Sequence, residues 1–412
     1  MNASVLNAKR ENSYASAGSL LLALLLIALR ANADTPTYYW DTNGSNDGAA
    51  DDGNPTGDWY NTSSNWTLDS TGNSPTFYYS NRADIVFTAA DPYAYWTDTP
   101  DYTVTVYGIA QVSDIVFKDG YCTLTTVAPY YLDKDTPFIS VLNQGQTATM
   151  NSVIASTAGT SNGITKFAGG TLVLGATNTY SGPTTIEGGT MQLGAPQVLP
   201  RTSTLVLAGG DTRTTGYTYG YSTTAPRFAT GGYSQTLGPL LLTGPYPSLT
   251  HTIDFGSGAS ALSFADSHTQ NWAGIPLYLA NYIPGVASLR FGTNSAGLTS
   301  TQLGLIHFEL INAQNQTVDV PAKIDASGFV TPAPPVILSL TMSGSTNAVI
   351  TWSAINGRLY LVHYKPDLNN AQWSDVLPNV TAAGSTASWT NNVGTIARRL
   401  YRVELLPIPN PD

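Results

Sequence analysis

The stretch from Gly169 to Gly194, GGTLVLGATNTYSGPTTIEGGTMQLG, says the same thing twice. A Gly-Gly turn leads into a short run of alternating apolar residues, first as GGTLVLG and then as GGTMQLG. Gly189 returns nineteen positions after Gly170, about the length of one coil of a β-solenoid. Alternation places Leu172 and Leu174 on one face of a strand, since successive side chains point to opposite sides. Met191 and Leu193 repeat that face, and the TLVL at Thr204–Leu207 reads as a third copy carrying Leu205 and Leu207. Ile186, in PTTIEGG, reads as the strand between copies. One coil cannot bury its apolar face alone, whereas stacked coils form a continuous core and pair backbone to backbone. Paired glycines permit positive φ at the corners. An antiparallel hairpin array has the same period of two and is the competing reading.

The rest of the composition agrees with an all-β chain. Only 11% of the 412 residues are charged, and the net charge is −10. Gly, Thr and other poor helix formers dominate the polar content. An acidic chain lacks the basic face that nucleic acid requires, so nucleic acid is excluded as a partner. Cys122 is the single cysteine, so no internal disulfide framework is possible. Within the alternating run YCTLTTV it reads as a small buried hydrophobe. A nucleophile would want a His nearby, and His251, His268, His307 and His363 are far along the chain.

The N-terminus reads as a secretory signal peptide over residues 1–33. Lys9 and Arg10 form a basic start, Leu20–Leu29 a short apolar core, and Ala31-Asn32-Ala33 a small-residue cleavage site. The expected mature protein begins near Asp34, lies outside the cytoplasm and has no further membrane span.

With these motifs in place, Ile164–Gly194 resembles the autotransporter-associated β-strand repeat, also called the passenger-associated transport repeat. The matching residues are Lys166, Gly170, Leu172, Leu174, Asn178, Tyr180, Gly182, Thr185, Ile186, Gly189, Leu193 and Gly194. Phe167-Ala168-Gly169 and Met191 depart from the usual pattern while keeping its physical character. Segments around Trp40–Gly44, Trp59, Trp66 and Ala83–Phe87 resemble the opening of large secreted proteins with this repeat. Leu262–Trp272, Leu289–Thr293 and Leu298–Phe308 resemble its close. The resemblance implies a right-handed parallel β-solenoid, exported from a Gram-negative-type bacterium to the cell surface or beyond. It implies no enzymatic activity and no cofactor. Partners of such a protein are cell-envelope components or extracellular glycans.

Thr299 or Ser300 reads as the N-cap of a short helix that covers the solenoid end. The resulting division is 34–120 as a β-rich lead-in, 121–331 as the solenoid and its cap, and 332–336 as a Pro-rich linker. Residues 337–406 come next as short alternating strands separated by turn formers, the pattern of a small β-sandwich. Trp352, Tyr360 and Tyr401 sit where fibronectin type III-like domains, which this segment resembles, carry core aromatics. The chain stops at Pro407–Asp412 without a run that reads as a membrane barrel, so the expectation is not a self-exporting protein.

The rival reading is a carbohydrate-binding or polysaccharide-processing β-helix, a lyase or glycoside hydrolase. Such an enzyme needs paired carboxylates, or Ca²⁺-binding acids with a base, on neighbouring coils. Glu187 with Asp211 or Asp254 is the available pair in the repeat region, and Asp211 with Arg213 reads as a surface pair. No catalytic residue is assigned. Asp41, Asn43, Ser45 and Asp47 have the every-other-residue spacing of a Ca²⁺ loop, without the bidentate Glu that completes one. A flexible acidic loop explains the same residues, so no metal is assigned. Trp59, Trp66 and Trp96 read as core. Tyr38-Tyr39, Tyr78-Tyr79 and Tyr217–Tyr221 read equally as rings that stack on sugars and as core or corner aromatics.

Overall fold

The structure is a computed structural model. It describes residues 35–406 except 43–54, 61, 71–74, 77–81, 89–100, 158, 160, 211–223, 247, 312–316, 334, 355–356 and 395–398. The signal-peptide segment lies outside the described residues, as do Asn43, Ser45, Asp47, Asp211, Arg213, Trp96, Tyr78-Tyr79 and Tyr217–Tyr221.

Short strands build two long sheets in which sequential neighbours pair in parallel. The first sheet stacks Thr37–Trp40, Ala83–Phe87, Ala110–Phe117, Phe138–Val141, Ile164–Phe167, Thr184–Ile186, Leu205–Leu207 and Leu240–Leu242. The second stacks Gly57–Tyr60, Asp101–Tyr107, Tyr121–Thr126, Thr147–Asn151, Thr171–Leu174, Thr190–Leu193, Arg227–Ala229, His251–Asp254, Leu277–Ala280 and Ile306–Ile311. The chain visits the two sheets in turn, and this all-β arrangement fits a β-solenoid. The ladders pass through residue 120 without a break, because Asp101–Tyr107 pairs directly with Tyr121–Thr126.

Stacking converts the period-two pattern into columns. Ala148, Leu172, Met191, Phe228, Ile253, Leu279 and Phe308 succeed one another in register, and all are buried. The repeat therefore aligns Leu172 with Met191 and Leu174 with Leu193. Thr204–Leu207 is different. Its strand, Leu205–Leu207, stacks on Thr184–Ile186 in the first sheet, whereas Arg227–Ala229 stacks on Thr190–Leu193 in the second. The expected third copy is thus a copy of the intervening strand. An alternating Leu-x-Leu fits either sheet; the turn through Pro200–Ser203 decides by returning the chain early.

Both ends of the stack are closed. At the start, Trp40, Trp59 and Trp66 are buried together, with Trp66 edge-on to the other two at 4.9 Å. The Trp40 Nε1–H donates to Pro55 O at 2.7 Å. At the end, Thr317–Ile324 and Phe329–Pro332 turn back antiparallel on the last parallel strands. The helix before them is one turn, Ser300–Leu303, capped by Thr299 with a reciprocal Gln302 contact. Gln302 also donates to Ser267 O and Gln270 O, tying the turn to the preceding coil.

Beyond Val336 the pairing is antiparallel. Asn347–Ser353 lies between Ile337–Ser343 and Thr386–Asn392, and Leu359–Lys365 lies between Ser374–Thr381 and Leu400–Leu405. The two three-stranded sheets share a core of Ile350, Trp352, Tyr360, Val362 and Ala382, against which Tyr401 packs. Trp352 and Tyr360 meet edge to face at 5.9 Å.

Candidate functional site

Each motif residue of the repeat has a definable place. Lys166 is buried within the first sheet, between Ile139 below and Ile186 above. Its ammonium donates to Phe167 O at 2.6 Å, Ala168 O at 2.9 Å and Gly188 O at 3.3 Å. These carbonyls belong to the two Gly-rich corners, so the lysine joins one coil to the next. Asn178 holds the opposite corner. Its Oδ1 accepts from Ile154 N at 2.8 Å, and its Nδ2 donates to Val198 O at 3.0 Å and Ala176 O at 3.1 Å. Tyr180 is buried, and its hydroxyl lies 2.6 Å from Thr184 Oγ1. Gly182 faces the backbone of Gly163 so closely that a Cβ would sit 2.2 Å from Gly163 N. Gly189 has φ +65°. Gly170 and Gly194 bond to neighbouring coils through their N–H groups, to Val141 O and Leu174 O.

Of the carboxylates suspected in the repeat region, Asp211 lies outside the described residues, and Glu187 and Asp254 stand on different sheets. Glu187 comes directly after the first-sheet strand Thr184–Ile186, whereas Asp254 ends a second-sheet strand. Asp254 is fully engaged, by Arg227 Nη2 at 2.6 Å, Asn281 Nδ2 at 2.7 Å and Gly256 N at 2.9 Å. These contacts hold its carboxyl below the usual carboxylate range despite its burial. Asp41 is buried, and its N–H donates to Asn65 O at 3.0 Å. Cys122 is buried too, and burial pushes its thiol up, opposite to what a nucleophile needs.

A denser set of charges lies earlier, on three successive strands of the first sheet. Asp84, Asp114 and the run Asp133-Lys134-Asp135 come together there with Arg82. Arg82 reaches Asp133 at 3.0 Å and Asp135 at 3.7 Å. Asp84 accepts from Asp114 N at 3.1 Å. Asp114 in turn accepts from Thr136 Oγ1 at 2.6 Å, and Asp135 from Ser113 Oγ at 2.8 Å. Lys134 is wholly buried and donates to Ser113 O and, at 3.1 Å, to Phe138 O. Burial raises Asp84 to about 6 and lowers Lys134 to about 8. Values so near neutrality suit an acid and a base. The geometry gives Lys134 another task, because its protons are spent on backbone carbonyls inside the stack. The six charged residues of this set stand in three groups well apart in the sequence, and only the stacking of the three strands gathers them.

The outward face of the second sheet is the open surface. Thr103, Thr123 and Thr149 form one register column. Thr147, Thr171 and Thr190 form a second, and Asp101 stands in register with Tyr121. A shallow groove runs between Thr56, Asp101, Tyr121 and the threonines Thr103, Thr123, Thr147 and Thr149. Toward the other end of the same strands, Tyr60 and Tyr107 stack at 4.4 Å with 12° between their planes, and Tyr60 is exposed. Trp59, by contrast, is buried.

Coils stacked on buried columns, with hydroxyl-rich outer strands, define a parallel-coil scaffold. Residues 164–193 match the family model described as Passenger-associated-transport-repeat, and the chain carries that repeat. The repeat belongs to autotransporter passengers, which are secreted or surface-exposed. No curated protein and no solved structure matches the chain.

Proposed function

We propose that this is an exported, surface-displayed β-solenoid of right-handed sense whose work is structural and adhesive, with no enzymatic role. Its C-terminal segment is read as a β-sandwich module of fibronectin type III-like kind that spaces or anchors the solenoid. The observation that carries the adhesive reading is the outer face of the second sheet. Parallel strands repeat at about 4.8 Å, so the threonine columns present hydroxyls at regular intervals. The stacked Tyr60–Tyr107 pair and exposed Tyr121 add apolar ring faces, and Asp101 adds an acceptor. Ring faces beside hydrogen-bonding groups suit the alternating apolar and hydroxyl surfaces of a polysaccharide. The tight engagement of Lys134 and Asp254 favours binding over turnover.

A glycan array with the full chain tests this, run beside a hydrolase and lyase screen on the glycans retained. Expected is retention of extended polysaccharides, lost in Tyr60→Ala and Tyr121→Ala, without product formation. Cleavage of a retained glycan would turn the function to the enzymatic alternative. Retention untouched by both tyrosine variants would move adhesion off this face.

A further inference from the structure

Among the described residues, the C-terminal segment is open along one side. Ser374–Thr381 packs against Thr386–Asn392, which puts Leu400–Leu405 at the other side, toward Ile337–Ser343. Leu340 stands opposite Ile350, and Met342 opposite Ala348. Cross-strand partners share a face, so Leu340 and Met342 point to the side where Ile350 and Ala348 are buried. Yet they are 53% and 56% exposed, and the shared core takes no side chain from their strand. Among the described residues, Leu400–Leu405 pairs only with Leu359–Lys365, leaving its outer edge bare. A strand laid along that edge would cover Leu340 and Met342. Residues 407, 409 and 411 are prolines, which have no N–H to donate to such a ladder.

We propose that the added strand is Leu400–Leu405 of a second copy of this chain, paired antiparallel and centred on Val403. The backbone parity allows this register. Leu406 N donates to Leu359 O at 2.9 Å, so Leu406, Glu404 and Arg402 turn their backbone groups inward. Tyr401, Val403 and Leu405 then turn theirs to the bare edge. Pairing centred on Val403 sets Arg402 opposite Glu404 of the second copy, twice over. Centring on Tyr401 or Leu405 separates these charges. The side chains of Tyr401, Val403 and Leu405 pack on the core side, so the second copy carries the same apolar set across to Leu340 and Met342. Unpaired apolar edges invite this kind of addition.

Sedimentation of the full chain over a dilution series tests the pairing. Expected is a dimer that dissociates on dilution. Arg402→Glu and Glu404→Arg should each weaken it by about tenfold, because each sets like charges face to face. An equimolar mixture of those two variants should regain the dimer, since every opposed pair again has opposite sign. Met342→Lys, at an exposed position, should weaken it independently of the charges. A monomeric chain at every concentration overturns the proposal. So do charge variants that leave the dimer intact, or a mixture that stays dissociated.

Discussion

Lys166 stands where its neighbours in register are Ile139 and Ile186. An apolar side chain would fill the column, so what the lysine adds is three bonds to corner carbonyls. Lys166→Met keeps the length and removes the donor. Orphaned buried carbonyls cost about 1–3 kcal/mol each, and a clear fall in chemical-denaturation midpoint is expected. An unchanged midpoint would show that the corners do not need the ammonium. Asp84 and Lys134 make a pH prediction at the same scale. Asp84 is raised to about 6 by burial, so between its ordinary range and that value the folded state holds more protons than the unfolded chain. Stability from this group falls as pH rises through that window. Lys134 is lowered to about 8, so the unfolded chain holds more protons above that pH, and stability from this group rises toward the ordinary lysine range. Asp84→Asn should flatten the acid limb of a melting-temperature profile and, because the Asp84 charge helps keep Lys134 protonated, leave an alkaline limb that starts slightly lower. If Asp84→Asn leaves the acid limb as steep as before, another carboxyl is responsible.

The strand pair Thr171–Leu174 and Thr190–Leu193 was legible in the sequence because two periods coincide there, two residues along the strand and nineteen between coils. Leu174 is fully buried, whereas Thr171 faces outward. Leu174→Ala should cost about 2–5 kcal/mol through lost burial and a cavity, and Thr171→Ala far less. Equal losses by denaturant titration would contradict the register. Gly189 is a second test at this scale. Its φ of +65° strains any other residue, and a Cβ there would lie 2.5 Å from both Ala168 O and Gly170 O. Gly189→Ala should therefore destabilise by at least about 1–2 kcal/mol, read on the same titration. Legibility ended where one cue stood alone. Leu205 and Leu207 fit either sheet by alternation, and only the turn after Leu199 sends them to the first. The charged group of Arg82, Asp84, Asp114 and Asp133–Asp135 was not legible, because stacking, which sequence spacing does not display, gathers it from three strands. The C-terminal strands were legible from their alternation. Their uncovered side was not, because exposure of Leu340 depends on which strands the opposite sheet lacks.

At the scale of the molecule, the described residues hold two buried apolar clusters with no member in common. One runs from Tyr38 to Val330 and the other is centred on Ile350, Trp352, Tyr360 and Val362. The segment between them carries Pro332, Pro334 and Pro335. Val336 belongs to the later cluster's side by its backbone, since Ser353 N donates to Val336 O and Val336 N donates to Ser353 Oγ, both at 2.9 Å. A cut near Pro334 therefore breaks no ladder. Separate cores predict separate melting. The full chain should unfold in two calorimetric transitions, and a fragment from Pro334 to Asp412 should reproduce one of them cooperatively. Reductant should leave that transition unmoved, because the fragment holds no cysteine. Trp352→Ala, which empties the centre of the second core, should lower only the fragment's transition. Leu174→Ala should lower only the other, because stacked coils pass stability between neighbours and not across a linker. A single transition that both variants shift together would mean that the two cores fold as one, and the boundary at the prolines would have to be withdrawn.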